Sequence, residues 1–202
     1  MLKKFFQKEK VEAGCDEAGR GSLVGPVYAA AVILPQKISR ALREVDDSKK
    51  LTAEKRRELR IVIEKEALAW SVTSVTHTEI DIINILNASI HAMNKAVGQL
   101  SIKPELLLID GNRFKPETDI PFECIIQGDG LYASIAAASI LAKTYRDDFM
   151  QELHLQFPDF GWYHNKGYAT PEHRSAIVRL GYSAFHRKSF HIAEEQFMLE
   201  ME

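Results

Sequence analysis

The decisive stretch of this sequence is Val11-Glu12-Ala13-Gly14-Cys15-Asp16-Glu17-Ala18-Gly19-Arg20-Gly21-Ser22-Leu23-Val24-Gly25-Pro26-Val27. It sets two adjacent carboxylates, Asp16 and Glu17, among four glycines. Neighbouring side chains on a strand point to opposite faces, so these two can share a site only where the strand ends or bends. Glycine permits such bends and lets a ligand approach the main chain closely. The alternative is a strand–turn–strand connection whose acids are merely solvated, and the rest of the chain must decide.

The composition is that of an ordinary soluble globular domain. The chain has 202 residues, of which 46% are hydrophobic and 27% are charged, and its formal net charge is −2. We therefore expect one domain over residues 1–202, with a core at about 11–157, a helical C-terminal part at about 158–192 and an acidic tail at 193–202. The near-neutral charge implies that any contact with nucleic acid uses a local basic patch.

Cysteine usage and hydropathy bear on the cellular location. The two cysteines, Cys15 and Cys124, lack a zinc-type spacing and indicate a reducing compartment. No apolar run reaches the ~18–20 residues of a membrane span. The first residues are basic but lack the apolar core of a secretory signal. We predict a cytoplasmic protein that makes no membrane contact.

Apolar periodicity predicts alternating strands and helices of an α/β domain. We expect strands at the opening stretch and at residues 24–34 as a hairpin, and further strands at 67–76, 106–110 and 122–127. Helices are expected at 53–66, capped by Thr52, and along one apolar stripe from a Thr78 cap to Leu100. Two more are expected at 134–156 and from Pro171 to about Leu180, with a loop rich in aromatic residues at 157–170.

Two further acids lie where an α/β sheet places its chemistry. Asp110 ends a short apolar run that is typical of a central strand covered on both faces, and such carboxyl ends carry the sites of open sheets. On the helix at 134–156, spacing favours Asp147 over Asp148, because Asp147 lies four residues beyond Lys143 on one stripe. Each acid keeps a plain alternative: Asp110 as a turn cap, and Asp147 as the partner of Lys143 in a surface ion pair.

Several carboxylates without histidine or cysteine partners suit the hard cations Mg²⁺ or Mn²⁺. Two such ions ~3.5–4 Å apart would relieve the repulsion between the acids and clamp a phosphate. Ser48, Lys49 and Arg20 indicate contacts with phosphate, and Tyr168 offers an aromatic face for stacking. Packing alone would also explain Tyr168, and the histidines are too scattered to be proposed as ligands. These residue types therefore indicate a phosphate-cutting or phosphate-binding site.

Several short motifs follow one another along the chain. They are Asp16-Glu17-Ala18-Gly19-Arg20-Gly21, Gly25-Pro26-Val27, Asp47-Ser48-Lys49-Lys50-Leu51, Ile109-Asp110-Gly111-Asn112, Ile135-Ala136-Ala137-Ala138-Ser139-Ile140-Leu141-Ala142-Lys143 with Arg146-Asp147, Lys166-Gly167-Tyr168, and His186-Arg187-Lys188-Ser189-Phe190. In this order they resemble the ribonuclease HII family over about residues 11–191. The resemblance implies a ribonuclease H-like fold of class α/β: a mixed five-stranded sheet flanked by helices, with a helical C-terminal part.

The resemblance also implies an activity. An enzyme of this family is expected to hydrolyse the RNA strand of RNA/DNA hybrids and to cut on the 5′ side of single ribonucleotides in duplex DNA. The products would carry 3′-hydroxyl and 5′-phosphate ends. By motif position, the catalytic and metal-binding carboxylates are Asp16, Glu17, Asp110 and Asp147, in a two-metal site for Mg²⁺ or Mn²⁺. The partners implied are RNA/DNA hybrid and duplex DNA that contains ribonucleotides.

The resemblance assigns the substrate contacts as well. By motif position they are Gly19, Arg20, Gly21, Ser48, Lys49, Asn112, Lys143 and Tyr168. The main chain of the glycine segment and Tyr168 would read the ribose 2′-hydroxyl, the group that distinguishes RNA from DNA. Leu131 stands where the family usually has a lysine, which removes one phosphate contact.

Other interpretations were weighed against this one. A catalytically weak or silent hybrid-binding protein would be expected to lose at least one carboxylate, and all four are present. Ribonuclease HIII would need an extra N-terminal domain, and only about 15 residues precede Asp16. We expect a monomer. The tail segment Gln196-Phe197-Met198-Leu199 is similar to a sliding-clamp peptide, although an ordinary helix end is the commoner explanation.

Overall fold

The apolar runs of the sequence form a single mixed sheet. The computed structural model describes residues 2–190. Its strands are β1 (Glu12–Ala18), β2 (Val27–Ile33), β3 (Ala69–Val75), β4 (Leu106–Asp110) and β5 (Phe122–Ile125). They lie in the order β3-β2-β1-β4-β5. The first three strands pair antiparallel, and β1 pairs parallel with β4, as β4 does with β5. The five-stranded mixed sheet and the hairpin of the sequence prediction are both confirmed.

Six α-helices connect and cover these strands in the described part of the chain. They are α1 (Ala53–Glu66), α2 (His77–Ile83), α3 (Ile85–Gly98), α4 (Ala133–Gln156), α5 (Trp162–Asn165) and α6 (Pro171–Leu180). Thr52 caps α1 as predicted, since its side chain accepts a hydrogen bond from the Lys55 amide. Thr170 caps α6 in the same way, directly before Pro171 at the first helical position.

The long helix expected between residues 78 and 100 is broken in two, and this prediction was wrong in its details. Thr76, not Thr78, caps α2, in a capping box with Glu79. Asn84 then takes a left-handed φ of 64° and uses its side chain to cap the amide of Asn87, so α3 starts afresh. Apolar periodicity continues through this break, which is why the sequence pattern alone did not reveal it.

The two longest apolar helix faces cover opposite faces of the sheet. Helix α3 packs with Ala13 and Cys15 of β1, whereas α4 packs with Ala18 of the same strand. The α4 backbone approaches so closely that a Cβ atom on Gly14 would lie 2.2 Å from the carbonyl carbon of Ser134. Small residues in the first turns of α4 therefore serve close packing, as the sequence indicates.

The C-terminal part packs beside the carboxyl ends of β1 and β4. The segment predicted as a loop at 157–170 contains a 3-10 turn at Pro158–Phe160 and the short helix α5. The predicted acidic tail and the clamp-like segment at 196–199 lie outside the described residues. Between residues 2 and 190, no helix is both long and apolar enough to cross a membrane.

Candidate active site

The end of β1 sends its two acids to opposite sides of the sheet. Side chains alternate along a strand, so Asp16 lies on the α4 face with Ala18, and Glu17 lies on the α3 face with Cys15. Asp16 is 5% exposed and receives hydrogen bonds from Ser139 of α4 and from the amide of Glu17. Glu17 is half-buried and accepts from Arg20 at 3.1 Å. Both carboxylates reach the same edge of the sheet.

The third acid, Asp110, lies beside them because of strand register. Cys15 of β1 pairs with Ile109 of the parallel strand β4, which brings the next residue of each strand side by side. One carboxylate oxygen, Oδ1 of Asp110, accepts a hydrogen bond from the Gly128 amide at 2.7 Å. Asp110 therefore has a fixed orientation, and its alternative role as a cap of its own turn is not what the described contacts show.

These three carboxylates are electrostatically unfavourable as they stand. Burial, with repulsion from Glu17 and Asp110, raises the pKa of Asp16 well above its ordinary range. Burial also raises the pKa of Glu17, against the opposing effect of Arg20. Burial and the neighbouring Asp129 raise the pKa of Asp110. Three adjacent acids whose charged forms are disfavoured are a feature of functional sites rather than of structural ones.

The fourth predicted acid is held apart from the other three. Asp147 Oδ1 lies 2.7 Å from Lys143 Nζ on the preceding turn of α4, so the ion pair that the sequence left open is present. Asp147 lines a neighbouring groove between α1 and α4, whereas Asp16, Glu17 and Asp110 line a cavity of about 270 Å³. Lys143 lines both and stands between them. Neighbouring Asp148 pairs instead with Arg60 of α1.

The residues fit a hard divalent cation by chemistry rather than by present spacing. Between residues 2 and 190, no group of three or more His, Cys, Asp or Glu side chains is gathered closely enough to hold a metal ion. The residues that line the cavity nevertheless offer three carboxylates and no histidine or cysteine, and Mg²⁺ and Mn²⁺ prefer such oxygen donors. Asp16 and Asp110 make no ion pair between residues 2 and 190, because the bases Arg20, Lys49 and Lys143 of the cavity pair with other acids. These two carboxyl groups therefore have no adjacent positive charge, in agreement with their raised pKa values. A divalent cation would supply that charge.

Two buried arginines hold the glycine segment against this cavity. Arg146 of α4 donates to the carbonyl groups of Val24, Pro26 and Lys166. Arg187 donates to the carbonyl groups of Gly19, Arg20 and Gly25. Between residues 2 and 190, neither side chain forms a salt bridge, and all the hydrogen bonds named here go to main-chain carbonyl groups.

Gly19 is required at its position for two reasons. Its φ of 92° is one that other residues rarely adopt, and a Cβ atom there would lie 2.0 Å from Nε of Arg146. The glycines could be recognised from the sequence, but the role of the two arginines as their supports could not. Arg146 stands between Tyr145 and Asp147 in a polar stretch of α4, so the local sequence gives no sign that its side chain is buried.

Tyr168 lies across the cavity from the acids. Its ring is 36% exposed, and the Arg146 guanidinium lies 5.5 Å from the ring centroid. The place of a Cβ atom on Gly21 is only 4.0 Å from Cε1 of this ring, so the glycine segment and Tyr168 converge as predicted for a joint contact.

His173 positions Tyr168 from behind, and sequence reasoning missed it. Trp162 Nε1 donates to His173 Nε2 at 2.9 Å, which makes Nε2 an acceptor. The proton then sits on Nδ1, which lies 2.9 Å from the Tyr168 carbonyl oxygen and donates to it. Burial lowers the pKa of His173, in agreement with a neutral ring. This histidine is fully enclosed, so it supports the loop rather than meeting substrate.

The remaining predicted substrate contacts lie at different depths. Ser48 is buried and its hydroxyl pairs with Ser139 at 2.9 Å; since Ser139 donates to Asp16, Ser48 must donate to Ser139. The exposed Lys49 lies 3.2 Å from buried Asp129. Asn112 is exposed beyond the end of β4 and lines a separate cavity on the α3 face. Ser48 thus supports an acid, and Lys49 is paired with Asp129 at the rim of the cavity.

Comparison with known proteins assigns the chain to a family. The family model described as ribonuclease HII matches residues 13–193. A ribonuclease HII of Phocaeicola vulgatus is 55% identical over all of this chain and 99% of its own length.

Solved structures share the fold. The RNase HII in a PCNA:RNase HII complex from Archaeoglobus fulgidus superimposes with a TM-score of 0.76 at 28% identity, covering 91% of this chain and 96% of its own. A Bst-RNase HIII solved with Mn²⁺ shares only the fold, at a TM-score of 0.70 and 18% identity over 94% of this chain and 70% of that one.

Proposed function

Because this chain belongs to the ribonuclease HII family, we propose that it cuts on the 5′ side of single ribonucleotides embedded in duplex DNA. Family membership makes it a ribonuclease H, an endonuclease hydrolase that acts on RNA/DNA hybrids. The finer specificity rests on one observation: the three acids share a cavity with the Gly19–Gly21 main chain and Tyr168. A phosphate held by the acids therefore lies next to the groups that would read a ribose.

The proposed catalytic set is Asp16, Glu17, Asp110 and Asp147. Divalent Mg²⁺ or Mn²⁺ bound by these carboxylates would activate a water molecule and offset charge at the phosphate, in a two-metal arrangement. Asp147 joins the set only if Lys143 releases it. Substrate phosphate is a natural competitor for the Lys143 ammonium, since it carries a full negative charge on two non-bridging oxygens that accept hydrogen bonds.

The ribose contact is proposed for the glycine segment and for Tyr168. The bend at Gly19 leaves the main chain open to the cavity, and the buried arginines keep it there. Main-chain groups that do not move can distinguish a 2′-hydroxyl from hydrogen at low entropic cost. The Tyr168 ring, fixed through His173, stacks on the sugar that follows the ribonucleotide. Arg20, Lys49 and Asn112 would contact backbone phosphates around this centre.

Contact with a sliding clamp is a weaker part of the proposal. The RNase HII from Archaeoglobus fulgidus was solved in complex with PCNA. Residues 196–199 of this chain would be the matching segment, and they lie outside the described residues.

The test uses a DNA duplex that carries one ribonucleotide, incubated with Mg²⁺ or Mn²⁺. We expect one cut, 5′ of the ribonucleotide, and no cut in the all-DNA duplex. The variant Asp110→Asn should cut two to three decades more slowly, because loss of a metal ligand costs about 3–4 kcal/mol in the transition state. An intact duplex with wild-type protein, or equal cutting by the variant, would refute the assignment.

A further inference from the structure

A second cavity opens on the α3 face of the sheet, directly behind the acids. It has a volume of about 250 Å³ and shares Glu17, Arg20 and Asp110 with the cavity of Tyr168. Because Glu17 points to this face and Asp16 to the other, the carboxyl edge of β1 and β4 separates the two cavities. A strand that crosses this edge would enter one cavity and leave through the other.

A buried hydroxyl group faces this second cavity without a partner. Ser89 of α3 is 2% exposed, and its Oγ makes no hydrogen bond with any described residue. A serine inside a helix commonly donates to the carbonyl group four residues earlier, and Ser89 does not. Buried hydroxyl groups are nearly always hydrogen-bonded, because leaving one unpaired is costly. Unlike the equally unpartnered Ser134, Ser89 shares its cavity with two acids and two arginines, and this combination indicates a polar ligand there.

Charge and shape indicate the class of that ligand. Arg113 and Arg20 line the cavity with exposed side chains, and Arg113 has no ion-pair partner between residues 2 and 190. Leu86, Ile90 and Met93 form an apolar wall on the opposite side. Two guanidinium groups suit a phosphate, and an apolar wall suits the carbon face of a sugar.

We propose that this cavity binds the sugar–phosphate unit on the 5′ side of the scissile phosphate. The inference rests on the proposed function: a ribonucleotide read by the Gly19–Gly21 segment and Tyr168 lies 3′ of the cut, on the α4 face. The preceding unit then crosses the edge of the sheet toward α3. Ser89 donates its hydroxyl to this unit, and Arg113 binds its phosphate.

The first experiment removes the hydroxyl of Ser89. We expect Ser89→Ala to raise KM roughly fivefold for the ribonucleotide duplex, the usual worth of one hydrogen bond, with kcat nearly unchanged. Its melting temperature should not fall, because the lost hydroxyl has no partner in the folded protein. The matched control is Ser134→Ala, which removes another buried, unpartnered hydroxyl near the opposite end of β1 and should leave KM unchanged. An unchanged KM in Ser89→Ala would overturn the proposal.

The second experiment identifies which phosphate of the substrate Arg113 binds. A neutral methylphosphonate replaces the phosphate one step 5′ or one step 3′ of the scissile position. Arg113→Ala should raise KM about tenfold on the natural duplex, and add little once the 5′ phosphate is neutral, since both changes remove one contact. With the methylphosphonate on the 3′ side, the increases in KM caused by Arg113→Ala and by the methylphosphonate should multiply. Multiplication with the 5′ substitution would overturn the proposal. Absence of any cutting by wild type would refute the proposed function instead.

Discussion

Two regions of this protein bury ionisable groups. In one region most of these groups have hydrogen-bond partners that compensate for burial, and in the other the groups repel one another. The acid edge consists of Asp16, Glu17 and Asp110, and the C-terminal cluster consists of Phe160, Trp162, His173, His186 and Arg187. In the cluster, His173 uses both ring nitrogens and Arg187 donates to three carbonyl groups. At the edge, each acid raises the electrostatic cost of another.

This difference distinguishes residues that support the fold from residues that act on the substrate. Buried polar groups whose hydrogen bonds are satisfied, such as those of His173 and Arg187, make a structure rigid and specific. In the same cluster, only Nε2 of His186 lacks a partner among the described residues. Buried charges that repel one another weaken the fold unless a ligand compensates, so they persist where a ligand does so. We infer that the C-terminal cluster holds Tyr168 and the glycine segment in place, and that the acid edge holds metal and phosphate.

The largest expected effect concerns the acid that stands apart. Asp147→Asn should slow cutting by two to three decades, because it removes a proposed metal ligand worth about 3–4 kcal/mol in the transition state. The matched variant Asp148→Asn breaks only an exposed pair with Arg60 and should cut at the wild-type rate. Single-turnover cleavage of the ribonucleotide duplex measures both. Equal rates in the two variants would remove Asp147 from the proposed catalytic set.

The next effect should appear in stability. Arg187→Met keeps much of the side-chain volume but leaves the carbonyl groups of Gly19, Arg20 and Gly25 without their donor. We expect the free energy of unfolding to fall by about 3 kcal/mol, since each buried acceptor left unpaired costs on the order of 1 kcal/mol or more. Urea unfolding measures this change. A variant as stable as wild type would show that the cluster does not support the glycine segment.

A smaller effect should follow from the residue that links the two regions. Tyr168→Ala removes a half-exposed ring but leaves the main-chain bond to His173 in place. We expect the preference for a ribonucleotide–DNA junction over a continuous RNA/DNA hybrid to fall about tenfold, in line with the loss of one stacking contact. Relative kcat/KM on the two substrates gives the answer. The 2′-hydroxyl role of Tyr168 would be discarded if the preference stayed constant while the melting temperature fell.

The smallest effect is a difference in pH dependence. Burial and the neighbouring His173 lower the pKa of His186 to about 4, below its ordinary 6.5. Its contribution to stability is therefore complete above pH 6.5 and is lost as the pH falls toward 4. Asp16 and Asp110 have raised pKa values, so their contribution to stability is present at low pH and is lost as the pH rises.

His186→Asn isolates the histidine part. The asparagine oxygen can still accept from the Ser183 amide, as His186 Nδ1 does, but it does not titrate. Relative to this variant, wild type should lose about 1 kcal/mol of unfolding free energy between pH 6.5 and 5.5. Exposed His164→Asn serves as the control and should follow wild type. If the unfolding free energies of wild type and His186→Asn changed with pH in the same way, the conclusion that His186 is neutral in the folded protein would be contradicted.

The strands and the acids could be predicted from the sequence, but the residues that support them could not. β1 and β4 were predictable because glycine bends and apolar runs are local patterns, and strand ends collect the chemistry of α/β sheets. The break at Asn84 was missed, since it depends on one side chain capping its own neighbour. Arg146 and Arg187 were missed as supports because they bind carbonyl groups as far as 122 and 168 residues away in the chain. The partners of His173 are near in sequence, but no local pattern shows that its ring is enclosed. Ser89 gave no sequence signal at all, as its burial and its missing partner exist only in three dimensions.

The central claim is that the acid edge binds a divalent cation, and Mn²⁺ titration of the melting temperature tests it most directly. Wild type should melt roughly 5 °C or more higher at saturating Mn²⁺, because binding to the folded state alone adds stability. Asp16→Asn should show almost no shift, yet be at least as stable as wild type without Mn²⁺, since it removes a repelling charge. Asp148→Asn should shift like wild type. An equal Mn²⁺ shift in Asp16→Asn and wild type, or none in wild type, would contradict the account.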